Sequence, residues 1–466
     1  MKTFFALMGG VAKSEKVWYT AWEGYRQQLS RTSKETVMTH QLPLYPILKR
    51  ILSELNEHIV DHGDRVAYLY LKMGQFRGRR DDLLFEHMML ACYAHDIGAY
   101  KTEKFLDLLR FDVSNTLEHC IYGYLFMKYF SPLREDAQVL IYHHSFYNER
   151  EKFTGPLVDE GILIHFLDRI DILTIRYPDD EDVYRQIRSV SGLNFNPQDV
   201  EDFIAADKKY HLIDHLRSGT CSPEVEAYFN LPEHSGLLEP VINMLAYEID
   251  FRSEQTVIHT ITTTLFAADL AGRMHLPPDE IEDISFAARL HDLGKVDVPK
   301  EIVEKPGRLT ADEYEIMKKH AAYTGQIIHG LFPEHIVRAA ARHHERLDGS
   351  GYPEGLTGEQ LTVGERIIQV ADVASALLQK RSYKDEMDKE TVLKILNEEG
   401  QKGRLDREIV TLFADNFDQI VGDVRSHSAR IIALYEGLQD EYKQYLREFS
   451  SANHEGFEEF GLFAAL

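Results

Sequence analysis

Cysteine is scarce in this chain of 466 residues: there are three, Cys92, Cys120 and Cys221. So few thiols, odd in number, argue against a disulfide-stapled secreted scaffold and fit a reducing cytoplasm. Positive charge is also short. Lys and Arg number 52 against 76 Asp and Glu, a net charge of −24. That balance argues against a broad surface for nucleic-acid polymers or anionic membranes. It leaves room for a small anionic ligand in a locally basic pocket. Long apolar runs are missing, and none reaches the roughly 18 residues that a membrane span needs. Runs in which β-branched residues alternate with polar ones are few, so the chain reads as mostly helical. The opening MKTFFALMGGVAK has two readings. One is a secretory signal cleaved after Ala12; the other, preferred here, is a strand or helix packed on the first domain.

The length calls for two or three domains, and a hydrophobic content of 44% can fill their cores. Four segments are expected: 1–180, a helical bridge over 181–236 broken by PDDED, NFNPQ and CSPE, a second helical set over 237–405, and polar-faced helices over 406–466. The last read as an appendage or a dimerisation element, which makes a homodimer a candidate assembly.

Between Arg289 and Lys384 the sequence reads ARLHDLGK, a lone His320, RHHERLDGSGYP and VADVASALLQKRSYK. His291, Asp292, His320, His343, His344 and Asp372 recur there at helix-compatible spacings, with His259 upstream. Imidazoles and carboxylates together suit Fe, Mn, Ni or Zn better than Mg or Ca. No thiol joins this set, which argues against a structural zinc knot. Pro277–Pro278 with Asp279 and Glu280 predicts a helix start, and Gly294 predicts its stop. Thr310 and Glu313 predict a capping box that opens the helix carrying His320. Pro333 predicts the start of a helix ending in His343 and His344, and DGSGYP a loop after it.

The two halves echo each other. His62, His95–Asp96, His119, His143 and Asp168 match His259, His291–Asp292, His320, His343 and Asp372 at offsets of 196–204 residues. A single His–Asp dipeptide is ordinarily noise, and a lone helical His is ordinarily a packed core residue. A whole set repeated at a near-constant offset is neither.

Asp292 can bridge two metals. His259, His291 and Asp372 would complete one shell, and His320, His343 and His344 the other. Two such cations suit hydrolysis of a phosphoester or phosphoanhydride. Lys295 would steady phosphate charge or protonate a leaving oxygen.

HDLGK with His259, His320, His343–His344 and Asp372 resembles the HD phosphohydrolase superfamily. HHERLDGSGYP, with KPGRLTADEYEIMKKH and GERIIQVADV, resembles its HD-GYP branch over roughly residues 240–400. The resemblance implies an all-α fold of two tandem HD-type domains, the second an HD-GYP domain. It implies two or three metal ions, Fe or Mn favoured with Ni or Zn as alternatives, and hydrolysis of a cyclic dinucleotide. Tyr352, Arg381 and Lys384 fall on the family's substrate contacts, and paired basic residues suit a doubly charged cyclic phosphate. Three-metal members carry a Glu where Gln255 stands, and Glu254 would point about 100° away on a helix, so two metals are expected. The family usually has Asp where Ser375 stands. A serine both donates and accepts, so adenine would be tolerated.

His62, His95, Asp96, His119, His143, His144 and Asp168 resemble a second HD set without the GYP loop, with Ala99 in place of the motif's Lys. This copy is expected to be a degenerate domain with a vestigial metal site. The tandem arrangement resembles the bacterial 3',3'-cGAMP phosphodiesterases, which implies a cytoplasmic enzyme opening 3',3'-cGAMP to a linear 5'-phosphorylated dinucleotide. The alternatives are a cyclic di-GMP phosphodiesterase and a weakly catalytic regulator that binds a cyclic dinucleotide.

Overall fold

The computed structural model describes residues 42–55, 57–79, 82–99, 116–238, 240–242, 244, 254–303, 305, 307–379 and 387–452. Among these residues the secondary structure is helical, with isolated bridges in place of strands. No helix among them is long and apolar enough to cross a membrane. The opening residues of the chain and Arg381 and Lys384 lie outside the described set. Two compact units emerge: one takes 43–245 and the chain from 438 onward, the other 246–437.

The first unit contains α1 (Leu44–Leu55), α2 (Glu57–Phe76), α3 (Leu83–Tyr93), α4 (Thr116–Phe130), the short α5 (Val139–Tyr142) and α6 (Val158–Arg176). It continues through α7 (Asp180–Ser189), α8 (Pro197–Tyr210), α9 (Leu212–Ser218) and α10 (Ser222–Phe229). Aromatic rings bind the later helices to the earlier ones. Phe166 of α6 meets Phe195 and Phe203 edge-on at 5.0 and 5.8 Å, and Tyr93 meets Phe229 at 5.8 Å. Full burial of such a ring contributes about 1.5–3 kcal/mol. Residues 181–236, expected as a bridge, are therefore part of this unit's core. Their punctuating prolines start helices inside it: Asn196 caps α8 ahead of Pro197.

The second unit contains α11 (Glu254–Arg273), α12 (Pro278–Leu290), α13 (Lys300–Val303), α14 (Ala311–Ile328), α15 (Glu334–Ala341), α16 (Val363–Leu378), α17 (Lys389–Gln401) and α18 (Arg407–Asp415). The predicted capping box is present: the Thr310 hydroxyl accepts from the Glu313 amide, and the Glu313 carboxylate accepts from the Thr310 amide at 2.7 Å. Thr362 and Glu365 repeat the device at the start of α16.

Helix α19 (Phe417–Ala452) contributes its first part to the second unit and its residues from 438 to the first. Phe413 packs edge-on against Phe266 at 5.4 Å, and Tyr442 stacks on Tyr122 at 4.1 Å. The described part of the stretch after 406, expected as an appendage or a dimerisation element, thus packs within these units up to residue 452. Apolar residues on one side of each helix pay out along a long, otherwise polar sequence, which hid this burial.

Candidate metal centre

Five helices of the second unit bring five imidazoles and two carboxylates together. His259 comes from α11, His291 and Asp292 from just past α12, His320 from α14, His343 and His344 from just past α15, and Asp372 from α16. All are buried except His344, which is half-buried. Asp292 points one oxygen at His291 and His259, at 3.3 and 3.8 Å, and the other at His320, at 3.4 Å. Asp372 lies 3.0 Å from His259 Nε2 and 3.6 Å from His344 Nδ1. His259, His291 and Asp292 form one group able to hold an ion, and His320, His343 and His344 another.

Gly294 explains how the elements come so close. A Cβ there would lie 2.1 Å from the His320 carbonyl and 2.4 Å from the Thr324 amide. Its φ is not left-handed, so this glycine does not cap α12, which already ends at Leu290. It admits α14. Thr324 then fastens the contact, donating to the His291 carbonyl at 2.8 Å and accepting from the Gly294 amide at 2.9 Å. Gly98 plays the same part in the first unit, where a Cβ would lie 2.0 Å from the His119 carbonyl.

The residues fit a metal on two observations. His291, His320 and His343 each place Nδ1 against a backbone carbonyl, of Ala288, Met317 and Ala340, at 2.6, 2.6 and 2.7 Å. Carbonyls only accept, so each Nδ1 carries the proton and each Nε2 presents a lone pair. His320 Nε2 and His343 Nε2 nevertheless face each other at 3.1 Å. Two opposed lone pairs repel unless a cation lies between them. His291 Nε2, buried in the same cluster, has no hydrogen-bond partner. Such carbonyl-anchored imidazoles are the ordinary support of metal ligands.

Electrostatics keeps most of the set in its ligating form. Burial lowers His320 to about 4 and His344 to about 3, and pushes His343 well below the usual imidazole range. Burial acts to raise Asp292, but His291 and Lys295 outweigh it and hold the carboxyl well below its ordinary value. Burial likewise acts to lower His291, and the Asp292 carboxylate overrides it, pushing the imidazole up to about 9.

The remaining site residues fall as follows. Lys295, half-buried, puts Nζ 2.5 Å from Asp292 Oδ2. Tyr352 lies in the DGSGYP loop with its ring 4.8 Å from that of His344. Ser375, expected to read a base, is fully buried, with its hydroxyl 3.0 Å from His259 Nδ1 and 3.3 Å from the His259 carbonyl. Its hydroxyl is turned toward His259, where it orients a candidate ligand.

Glu345 was missed in the sequence, while Arg346 and Arg366 read there equally well as site residues or as partners of nearby carboxylates. Glu345, completely buried, accepts from the amides of Glu354, Gly355 and Leu356 at 2.6, 3.1 and 2.8 Å, which anchors the GYP loop. A carboxylate just ahead of a Gly-rich turn was the available signal. Arg346, half-buried, leaves Nη1 buried without a hydrogen-bond partner and acts electrostatically on His344 and Tyr352. Arg366, by contrast, is taken up by Asp406 at 3.0 Å and the Leu361 carbonyl.

Residues 239–409 match the family model described as HD domain. This stretch of the chain is similar to the HD domain family. The anchored Gly-Tyr-Pro loop of residues 351–353 resembles that of the HD-GYP branch. Among similar proteins is 3'3'-cGAMP-specific phosphodiesterase 1 of Vibrio cholerae, 28% identical over 80% of this chain and 90% of its own length. A cyclic di-GMP phosphodiesterase response regulator of Xanthomonas campestris is 38% identical over 35% of this chain and 44% of its own. A solved structure of a cyclic GMP-AMP specific phosphodiesterase of V. cholerae covers 80% of this chain and 97% of its own, at 20% identity and a TM-score of 0.48.

The first unit's candidate residues also converge. His62 Nε2 lies 3.2 Å from Asp168, and His95 Nε2 lies 3.5 Å from Asp96. His119 Nε2 is 3.3 Å from His143 Nε2 and 3.0 Å from His144 Nε2.

Proposed function

We propose that this HD protein is a metal-dependent phosphodiesterase acting on cyclic dinucleotides, with 3',3'-cGAMP as the favoured substrate. The observation that carries the reading is the facing Nε2 pair of His320 and His343, set against the two oxygens of Asp292. Two divalent ions, Fe or Mn favoured, would be held by His259, His291 and Asp372 on one side and His320, His343 and His344 on the other, with Asp292 between. Bound there, they supply a hydrolytic nucleophile at neutral pH and neutralise phosphate charge.

The chain's own residues do the rest. Lys295 beside Asp292 and Arg346 near His344 and Tyr352 supply positive charge for the negative charges of a cyclic diphosphate. Lys295 is positioned to pass its Nζ proton to the departing 3' oxygen as the P–O3' bond breaks, leaving a 5'-phosphate. Tyr352, held beside His344 by the Glu345-anchored loop, offers a ring face to a base. Ser375 and the backbone carbonyls fix the imidazoles. Arg381 and Lys384 remain part of the proposal as further phosphate contacts.

Ser375, buried against His259, supports a metal ligand rather than base choice in this reading. The preference for 3',3'-cGAMP leans on likeness to a relative of that specificity along most of both chains. The shorter likeness to a cyclic di-GMP enzyme keeps cyclic di-GMP as the second substrate. The test is to incubate Mn- or Fe-loaded protein with 3',3'-cGAMP, cyclic di-GMP and cyclic di-AMP and to identify the products chromatographically. A linear 5'-phosphorylated dinucleotide, formed fastest from 3',3'-cGAMP, is expected. Absence of hydrolysis in the metal-loaded protein would end the reading.

A further inference from the structure

The two units differ in one atom that matters. Next to His119 stands Cys120, whose buried Sγ lies 3.9 Å from His119 Nε2 and 4.0 Å from His143 Nε2. At the corresponding place after His320 the second unit has the buried Ala321. His119, Cys120, His143 and His144 form one cluster in which every donor atom lies within 4.8 Å of every other.

We propose that the first unit holds a four-coordinate, thiolate-bearing metal site made of His119, Cys120, His143 and His144, selective for a thiophilic divalent ion such as zinc and structural in role.

The distances match such an ion. Zinc sits about 2.0–2.1 Å from imidazole nitrogen and about 2.3 Å from thiolate sulfur in tetrahedral sites. Tetrahedral angles then separate two nitrogens by about 3.3 Å and nitrogen from sulfur by about 3.6 Å. The nitrogens here are 3.0 and 3.3 Å apart, and sulfur is 3.9 and 4.0 Å from nitrogen. His143 Nδ1 is anchored on the Leu140 carbonyl at 2.6 Å, so its Nε2 presents a lone pair to the cluster. Asp96 Oδ1, 3.7 Å from both His119 Nε2 and His143 Nε2, is buried without a hydrogen-bond partner. That uncompensated oxygen, aimed at the same point, independently asks for a cation.

At the neighbouring position His62, His95 and Asp96 also come together, but two of the groups a second metal would need there, His62 and Asp168, are taken up by internal ion pairs. Arg169 grips Asp168 at 2.6 and 2.9 Å, and His62 lies between Asp168 and Asp171 at 3.2 and 2.7 Å. In the second unit the residue after Asp372 is Val373, and Ser375 stands where Asp171 does. A single site with four protein ligands leaves no position for a reacting water, which marks it as structural. The inference concerns the first unit alone and stands apart from the hydrolytic reading of the second.

All three cysteines lie in the first unit, so any metal–thiolate signal must arise there. The test loads the metal-stripped, reduced full chain with cobalt(II) and records its absorption spectrum. A thiolate-to-cobalt charge-transfer band of one site per chain is expected. Zinc should erase it, Cys120→Ser should abolish it, and Asp292→Asn should leave it in place. Cobalt bound without a thiolate band in the wild-type chain would overturn the proposal, as would a band that survives in Cys120→Ser. The wild-type spectrum decides even where the variant fails to fold.

Discussion

Glu345→Gln probes how the active loop is held. The carboxylate accepts three backbone amides, two on Oε1 and one, that of Leu356, on Oε2. A hydrogen bond to a charged acceptor is worth about 1.5–3 kcal/mol net. Glutamine keeps one oxygen, so two bonds survive at neutral strength, roughly half that of the charged form. Its amide nitrogen then faces a third N–H, losing that bond and leaving a buried donor unsatisfied. Glu345 is completely buried, so solvent does not soften the loss. At least about 4 kcal/mol of loop anchoring disappears. At about 1.4 kcal/mol per tenfold, kcat/KM for the cyclic dinucleotide should fall about several hundredfold. The change should appear mainly in KM, because Tyr352 and Arg346 shift while the imidazoles keep their carbonyl anchors. Steady-state kinetics with metal content measured beside them is the assay. Unchanged kcat/KM in a folded, metallated variant would refute the loop-anchor role.

Ser375→Ala should weaken metal affinity about 10–100-fold, as loss of a ligand's supporting hydrogen bond does, and leave the ratio of 3',3'-cGAMP to cyclic di-GMP turnover unchanged; titration with Mn(II) and a two-substrate assay decide. Gly294→Ala drives a methyl into the His320 carbonyl and should cost about 3 kcal/mol or more, seen as a lower thermal midpoint together with lost turnover; a wild-type melting curve would contradict the close-approach argument. In the first unit, burial acts to lower His62, but Asp168 and Asp171 override it and raise the imidazole from 6.5 to about 10. The folded state therefore binds this proton more tightly than the unfolded one. The resulting stability is complete below about pH 6.5 and is lost as pH rises through about 10. Urea melts of the first unit between pH 7 and 10.5 should show that decline, and His62→Gln should flatten it.

Helical content, the repeat, the Thr310 capping box and the set of imidazoles and carboxylates were legible in the sequence because each follows a fixed local spacing. Other features were not, because they depend on where distant elements meet. Gly294 reads as a helix stop, and only the arrival of α14 shows that it makes room for a backbone. Ser375 sits one turn after Asp372, so spacing alone cannot say whether it faces a base or His259. Cys120 follows His119 directly, and adjacent helical residues diverge by about 100°, so spacing alone does not show that both reach one cluster with His143 and His144. The segment 181–236 looked like a bridge from its breaks, while its burial came from aromatic partners far away in the chain.

Asp292 is the residue on which the hydrolytic account depends most, since its two oxygens address both groups of imidazoles. The most direct measurement is turnover of 3',3'-cGAMP by Asp292→Asn beside wild type, with metal per chain determined on the same samples. The account predicts loss of turnover together with loss of the second unit's metal, while the protein stays folded. Wild-type turnover by Asp292→Asn, with its metal still stoichiometric, would contradict it.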